Sequence, residues 1–390
     1  MCRNARPKVL AGSPRRKPVE KPGKAGVCRN SPDTGAMASA TPLRVPDFDQ
    51  PTWIRPIIAS DLAALKELAD ELDTINLPSD REALGELIAR SETSFAQFPA
   101  VSGTVGAMPF PTPSYTLVAE SAGQLLGTAS VFAVHGTPDD PHYALRVDTQ
   151  TVHSHQLGVD RQRTMLTLIK DQEPWTELGA LVVRPSARGR GLGKLLLAAR
   201  FLLIAMHPQA FCRRLIAELL PPRREDGGNA FWDAVGGPLT GLEYYRADLL
   251  CRTDKEFIEA FFPHEELVAD LLPPAARALI GREGPTTTPV RALLARAGFR
   301  WLNTIDPFDA GPHDGAALDE IIPLRSAHRV VRLESPPRQP TTLLVGSATT
   351  HHFAIVPSEI IHDGMCLSTF DADRLGIPIG GTAWTLDMTW

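Results

Sequence analysis

The chain has 390 residues, 43% of them hydrophobic and 22% charged, a globular composition with apolar material for more than one core. Its 35 prolines are scattered without a period, which excludes a collagen-like or repeat array, and the longest apolar stretch, Leu195 to Met206, is interrupted by Arg200 and falls short of the roughly 20 residues of a bilayer span. Of the formal charge of −5, residues 1–36 hold +7 (nine Lys/Arg against two Asp/Glu) and the remainder −12, an acidic body that argues against a nucleic-acid protein.

Residues 1–50 are rich in Pro, Gly, Arg and Lys, with no aromatic before Phe48. Such a segment buries too little apolar surface to offset its ordering entropy, so a disordered basic tail is expected rather than a basic arm on nucleic acid or membrane. It lacks the apolar core of a secretory signal. Met37 heads a less basic stretch and is an alternative start. The folded part begins with the β-type run Ile54 to Ile58. Asp61 then reads as an N-cap, with Leu62, Leu65, Leu68 and Leu72 at helical spacing, and a second helix is expected over Asp80–Ser91. Two strand-like runs, Tyr115–Ala119 and Leu125–Val134, flank Ser121-Ala122-Gly123-Gln124, a hairpin signal. A meander follows through Tyr143–Val147.

Residues 177–206 are the most informative. Leu178–Val183 reads as a buried strand running into Arg184–Lys194, a segment with glycines at 189, 191 and 193, and then into the strongly helical Leu195–Leu203. A strand, Gly-rich loop and helix in succession leave unpaired backbone N–H groups at the helix start, aimed at an anion. Glycines let the backbone approach such a ligand. A Walker A loop requires Ser or Thr after the Lys, and Lys194 is followed by Leu195. The dinucleotide fingerprint GxGxxG has another spacing. Arg188-x-x-Gly191-x-Gly193 fits the [Q/R]xxGxG pyrophosphate loop of GNAT acyl-CoA transferases, in the β–α–α–β–β context those folds use. Thioester aminolysis then needs a polarised carbonyl, for which a strand bulge near Leu181 is expected to supply backbone donors, a positioned amine, and a base with a pKa near the working pH.

Further segments resemble the arginine N-succinyltransferase family. Ile54-Arg55-Pro56 with Ser60-Asp61-Leu62 resembles its opening, and Tyr143 with Arg146-Val147 its Y-x-x-R-V. Glu177-Leu178 and Leu181 match the strand before the loop. Phe231-Trp232 with Arg246-Ala247-Asp248-Leu249-Leu250-Cys251 resembles FW…RADxLC. Gly298-Phe299-Arg300 with Ile305 to Pro312 resembles EGFR…IDxFDxGP, and His351-His352-Phe353 a late HHF strand. The matches run in order from about 54 to 388.

The resemblance implies succinyl transfer from succinyl-CoA to the α-amine of arginine, opening arginine catabolism. It implies a cytoplasmic enzyme, a homo-oligomer or a hetero-oligomer with a paralogous subunit. The expected fold is α+β, a GNAT-like mixed sheet flanked by helices over 51–329 with a small β-rich domain at 330–390. Leu181, Val183, Arg188, Gly189, Arg190, Gly191, Leu192 and Gly193 are expected at the acyl-CoA, which is a co-substrate and not a resident cofactor. The sequence departs from the family at one point. Where the family places a proton-donor His in G-x-x-H-P, this chain reads Gly281-Arg282-Glu283-Gly284-Pro285. A second family His falls on Glu265, beside His264.

Three groups are therefore candidates for the proton transfer: Glu283 next to Gly284, His313 directly after the FDAGP run, and His264. Arg55, Arg146 and Arg246 are candidates for a substrate carboxylate through bidentate hydrogen bonds, or for structural ion pairs. His351 and His352 are read as a strand pair, one inward and one outward, and Trp232 as core. The five cysteines are widely spaced, odd in number and without CxxC, so neither a disulfide scaffold nor a metal site is expected. Cys251 shows no paired base for a thiolate nucleophile. An acyltransferase for another amine or acyl-CoA, and a non-catalytic partner subunit, are the alternatives.

Overall fold

The computed structural model describes residues 51–390 apart from 73–76, 78, 99–111, 225 and 252–253; the expectations for residues 1–50, a disordered tail and a start at Met37, lie outside them. The described residues form β1 (Thr52–Pro56), β2 (Ser114–Ser121), β3 (Gln124–His135), β4 (His142–Ser154), β5 (Val159–Asp171), β6 (Trp175–Val183), β7 (Arg214–Glu218), β8 (Leu267–Val268), β9 (Arg300–Ile305) and β10 (Pro312–Ala317). They continue with β11 (His328–Arg332), β12 (Thr341–Ser347), β13 (Phe353–Ile361), β14 (Gly364–Leu367) and β15 (Thr382–Leu386). These make one mixed sheet in the order β12-β15-β11-β14-β13-β1-β2-β3-β6-β7-β10-β9-β4-β5-β8, with a further β12–β13 pairing. That pairing closes the five C-terminal strands on themselves, around a small core that includes Val345, Val356, Met365 and Leu375. This α+β arrangement, a mixed sheet flanked by helices, is the one expected.

The hairpin at Ser121–Gln124 forms as its turn residues dictate, with Ala122 and Gly123 both at positive φ. Asp61 behaves differently from the expected N-cap. A short 3₁₀ turn, Ala59–Asp61, comes first, and the Asp61 carboxylate turns back to accept from the Ile58 N–H at 2.9 Å. The helix α1 (Leu62–Leu72) follows, and α2 (Arg81–Gln97) is capped by Asp80 accepting from the Ala83 N–H. His351 and His352 lie in the turn before β13, and His351 Nε2 stands 3.0 Å from His207 Nε2 within an aromatic cluster containing Phe98.

The helix after β6, α3 (Leu192–Met206), begins three residues earlier than its apolar run suggests. It is buried nearly all round, because the sheet lies on one side and the C-terminal residues Met388 and Trp390 pack on it as well. A helix so enclosed has no polar face, which explains its mostly apolar sequence. Lys194 and Arg200 are the two charges within it. Lys194 donates to the Met388 carbonyl and lies 4.9 Å from the Trp390 ring centroid, fastening the C-terminus. Burial lowers its ammonium to about 8.

Candidate active site

β6 and β7 are parallel neighbours, yet they pair only at Thr176–Leu215 and Glu177–Ile216. Beyond Glu177 they part. The gap is the mouth of a cleft of about 320 Å³, and its walls include the departing ends of both strands. β6 is also bulged at this point: Gly179 pairs with Ser130 and Val182 with Thr128, leaving Ala180 and Leu181 between paired positions, with Ala180 at φ +49°. An extra residue of this kind re-aims the local backbone groups out of the sheet's regular ladder. The bulge thus lies where the sequence expected it, on the cleft wall.

Strand alternation sorts the two sides of the cleft. Leu178, Ala217 and Leu219 face the core under α3, where Val290 and Leu294 of the helix Thr288–Ala297 also pack. Glu177 and Glu218 point to the opposite face. There they meet His135, His142, Asp306, Asp309, Tyr244 and Lys255. Glu218 Oε1 stands 3.0 Å from His142 Nε2 and 3.5 Å from His135 Nε2, and Glu177 Oε2 lies 3.5 Å from His135 Nδ1. Neither Nε2 is aligned for a hydrogen bond. The donor atoms of His135, His142 and Glu218, like those of Glu218, Asp306 and His313, lie within 4.8 Å of one another, a spacing at which they can converge on one cation.

The two glutamates are driven apart electrostatically. Burial, with the charge of Glu218 behind it, raises Glu177 to about 8. Burial opposes the charge on Glu218 too, but His135, His142 and the nearby His313 outweigh it and hold that carboxyl well below the ordinary range. Burial lifts Asp306 to about 7, and Asp309 is raised well above its usual value. Two carboxyls pushed in opposite directions are the usual mark of divided proton-transfer duties. Cys251 also lines the cleft, with its thiol raised by burial to about 12, which leaves no thiolate for nucleophilic attack.

The Gly-rich loop lies between β6 and α3. Gly189 and Gly191 adopt φ +76° and +87°, and Gly191 is the N-cap of α3 with no side chain capping the helix. A Cβ on Gly189 or Gly193 would meet nothing within 4 Å, so the space over the loop is open. Arg188 steadies the loop by donating from Nε to the Val183 carbonyl at 3.0 Å. A fifteen-residue helix presents its first N–H groups and its positive dipole end here, a geometry able to hold an anion. Of the residues expected at the acyl-CoA, Leu181 lines the cleft, Val183 ends β6, and Arg188, Gly189, Arg190, Gly191, Leu192 and Gly193 follow in the loop and the first turn of α3.

The catalytic and carboxylate candidates are scattered instead. Glu283 pairs with Arg291 at 2.6 Å, and Arg291 also grips Asp314; this bond holds the Glu283 carboxyl below its ordinary value. It is a structural ion pair beside the cleft and not a base within it. His264 is exposed and is absent from the cleft wall. His313 is fully buried behind Glu218, its register partner on β7, and burial lowers it to about 3. It is not on the cleft wall, but of the three proton-transfer candidates it alone lies against the cleft's acidic cluster, close to Glu218 and Asp306. Arg55 is held by Asp61 and Glu120, Arg146 is exposed and paired with Asp148, and Arg246 is exposed on the helix Tyr244–Cys251. None of these three lines the cleft. At Gly284 a Cβ would lie 2.7 Å from the Pro221 carbonyl oxygen, so this backbone has no room for a side chain there.

Sequence reasoning passed over His135, His142, Glu218 and Arg200 and treated Glu177, Asp306 and Asp309 only as motif letters. The available signal was a charge inside an apolar run: Glu177 in β6, Glu218 in Leu215–Leu220 and Arg200 in α3.

A bulged strand followed by a glycine-led helix is the arrangement the sequence leads one to expect at an acyl-CoA site, and here the strand also parts from a parallel neighbour. The family model described as "Arginine N-succinyltransferase beta subunit" matches residues 52–323. The arginine N-succinyltransferase of Enterobacter sp. (strain 638) is 32% identical over 289 residues, 73% of this chain and 81% of that protein. That of Escherichia coli O139:H28 is 31% identical over 310 residues, 78% and 87%. The arginine/ornithine succinyltransferase subunit AI of Pseudomonas aeruginosa superposes with a TM-score of 0.71 at 26% identity, covering 87% of this chain and 99% of that one. The chain belongs to the arginine N-succinyltransferase family.

Proposed function

We propose that this protein transfers the succinyl group of succinyl-CoA to the α-amine of arginine by direct attack on the thioester. The supporting observation is the parting of β6 and β7 at a bulge, with a raised carboxyl, Glu177, beside it and an anion cradle at the end of the same strand. CoA pyrophosphate rests on the backbone of residues 188–193, and the thioester reaches the bulge. The Ala180–Leu181 backbone polarises its carbonyl. The amine nitrogen bonds to the carbonyl carbon, the carbon–sulfur bond breaks, CoA leaves as the thiolate, and the amine's proton passes to ionised Glu177.

Glu218 stays charged and makes the acidic pole that draws a cationic acceptor, with the raised carboxyls of Asp306 and Asp309 beside it. An alkylguanidinium offers the planar donor fork that the Glu218 carboxylate matches. His135 links Glu177 to Glu218 and can carry the proton away between them. No covalent enzyme intermediate is needed.

Among the described residues no helix is long and apolar enough to cross a membrane, and a cytoplasmic location belongs to this reading. One relative is described as a subunit, and assembly with a second copy or a paralogue is part of the same proposal. The test is thiol release from succinyl-CoA and acetyl-CoA against arginine, ornithine and other amines. Turnover with succinyl-CoA and arginine supports it; turnover confined to another pair means a re-specified enzyme, and CoA binding without turnover a non-catalytic subunit.

A further inference from the structure

Arg200 enters the cleft from the side opposite the acidic cluster. It is 1% exposed, sits midway along α3 and lines the cleft where β6 bulges. Its Nη1 reaches only two carbonyl oxygens, Ser130 at 3.3 Å and Gly179 at 3.4 Å, the register pair on the edge of the bulge. Nε has no partner. No carboxylate offsets its charge among the described residues, and burial alone lowers it to about 9. An unpaired buried guanidinium is costly, and helices spend that cost rarely. The cleft wall on the α3 side includes the apolar residues Leu178, Ala217, Val290 and Leu294. A cation in an apolar recess with an unused donor is a receptor for an anion that arrives with the substrate.

We propose that Arg200 is the floor of a carboxylate subsite that takes the terminal carboxylate of a dicarboxylic acyl-CoA donor. The cleft is then bipolar. The donor's tail passes between the parted strands to Arg200 on the α3 side, its thioester stays at the bulge, and the cationic acceptor waits on the Glu218 side. This rests on the acyl-transfer reading above, and gives it a donor preference: a site with a buried fork left empty rejects the neutral analogue strongly. The acceptor's own α-carboxylate is the other possible source of the anion, and the acidic pole argues against it.

The test measures kcat/KM for two pairs that each differ by one carboxylate. Succinyl-CoA and butyryl-CoA share four acyl carbons; arginine and agmatine share the attacking amine and the guanidinium. Wild type is expected to favour succinyl-CoA by at least about 100-fold. Arg200→Met is expected to lose most of that ratio, with butyryl-CoA turnover kept within a few-fold, the arginine-to-agmatine ratio unchanged and CoA affinity intact. Arg200→Lys, which keeps the charge without the fork, should fall between, and serves if the Met variant does not fold. A donor ratio unchanged in both variants overturns the subsite, as does an equal fall with both donors. Collapse of the arginine-to-agmatine ratio instead assigns the carboxylate to the acceptor and overturns the donor assignment. A wild type that prefers butyryl-CoA refutes the succinyl reading itself.

Discussion

Replacing Glu177 by Gln removes the proton acceptor and leaves the shape of the cleft. The rise of its carboxyl from 4.5 to about 8 measures how much the folded protein resists charging it. Raising a pKa by one costs the charged form about 1.4 kcal/mol, which caps the penalty at about 5 kcal/mol, and relaxation of the open cleft, where the side chain is 18% exposed, brings the expected value to about 1–3 kcal/mol. The folded state holds this proton more tightly than the unfolded chain. Its contribution is therefore fully present below pH 4.5 and is lost as pH rises toward 8. Glu177→Gln has no such loss, so its stability advantage over wild type should be near zero at pH 5 and grow to its full value by pH 8–9, read from urea unfolding at each pH. Turnover moves the other way. Wild-type kcat/KM should climb through pH 8 as the base ionises, and the variant should lose about 10²–10⁴-fold at pH 8. A variant within fivefold of wild type, or a stability difference flat from pH 5 to 9, refutes the assignment.

Restoring a histidine with Gly284→His should lower stability by about 1–3 kcal/mol in thermal or urea unfolding and leave turnover no higher, because the new Cβ meets the Pro221 carbonyl. Gly191→Val forces a β-branched residue to φ +87° at the start of α3, costing about 1–3 kcal/mol of strain; CoA binding by calorimetry should weaken more than tenfold while an unrelated loop glycine change leaves it alone. Glu283→Gln should destabilise measurably, since Arg291 loses one of its two carboxylates, with kcat/KM within about twofold of wild type. His264→Ala should change neither.

The two ends of the site differ in how far the sequence reveals them. The proposed CoA loop is local: a strand, a loop with glycines at 189, 191 and 193 and a helix are consecutive, and each step has its own residue signature. The bulge near Leu181 follows from the same unit. The proton-transfer cluster is not local. Glu177, Glu218, His135, His142 and Asp306 come from β6, β7, the end of β3, the start of β4 and the loop after β9, and only the sheet order sets them side by side. Adjacency to the vacant family position therefore misdirected the choice of Glu283, whose side chain answers to Arg291. His313 follows the FDAGP run and lies beside Glu218 as its register partner in the same sheet, buried and off the cleft wall. In the fold, the first half of β5, with Arg161 and Arg163, is a polar ribbon with nothing to mark it as a strand, while the mostly apolar run from Met165 to Ile169 that follows went unread.

The most direct measurement is the identity of the product formed from succinyl-CoA and arginine, by mass spectrometry with thiol release followed in parallel. One equivalent of CoA thiol per succinylarginine, with the new amide on the α-nitrogen and no acylated enzyme trapped, is the expected result. Thiol release without succinylarginine, or a succinylated enzyme that forms and discharges at the turnover rate, would contradict direct attack by the amine.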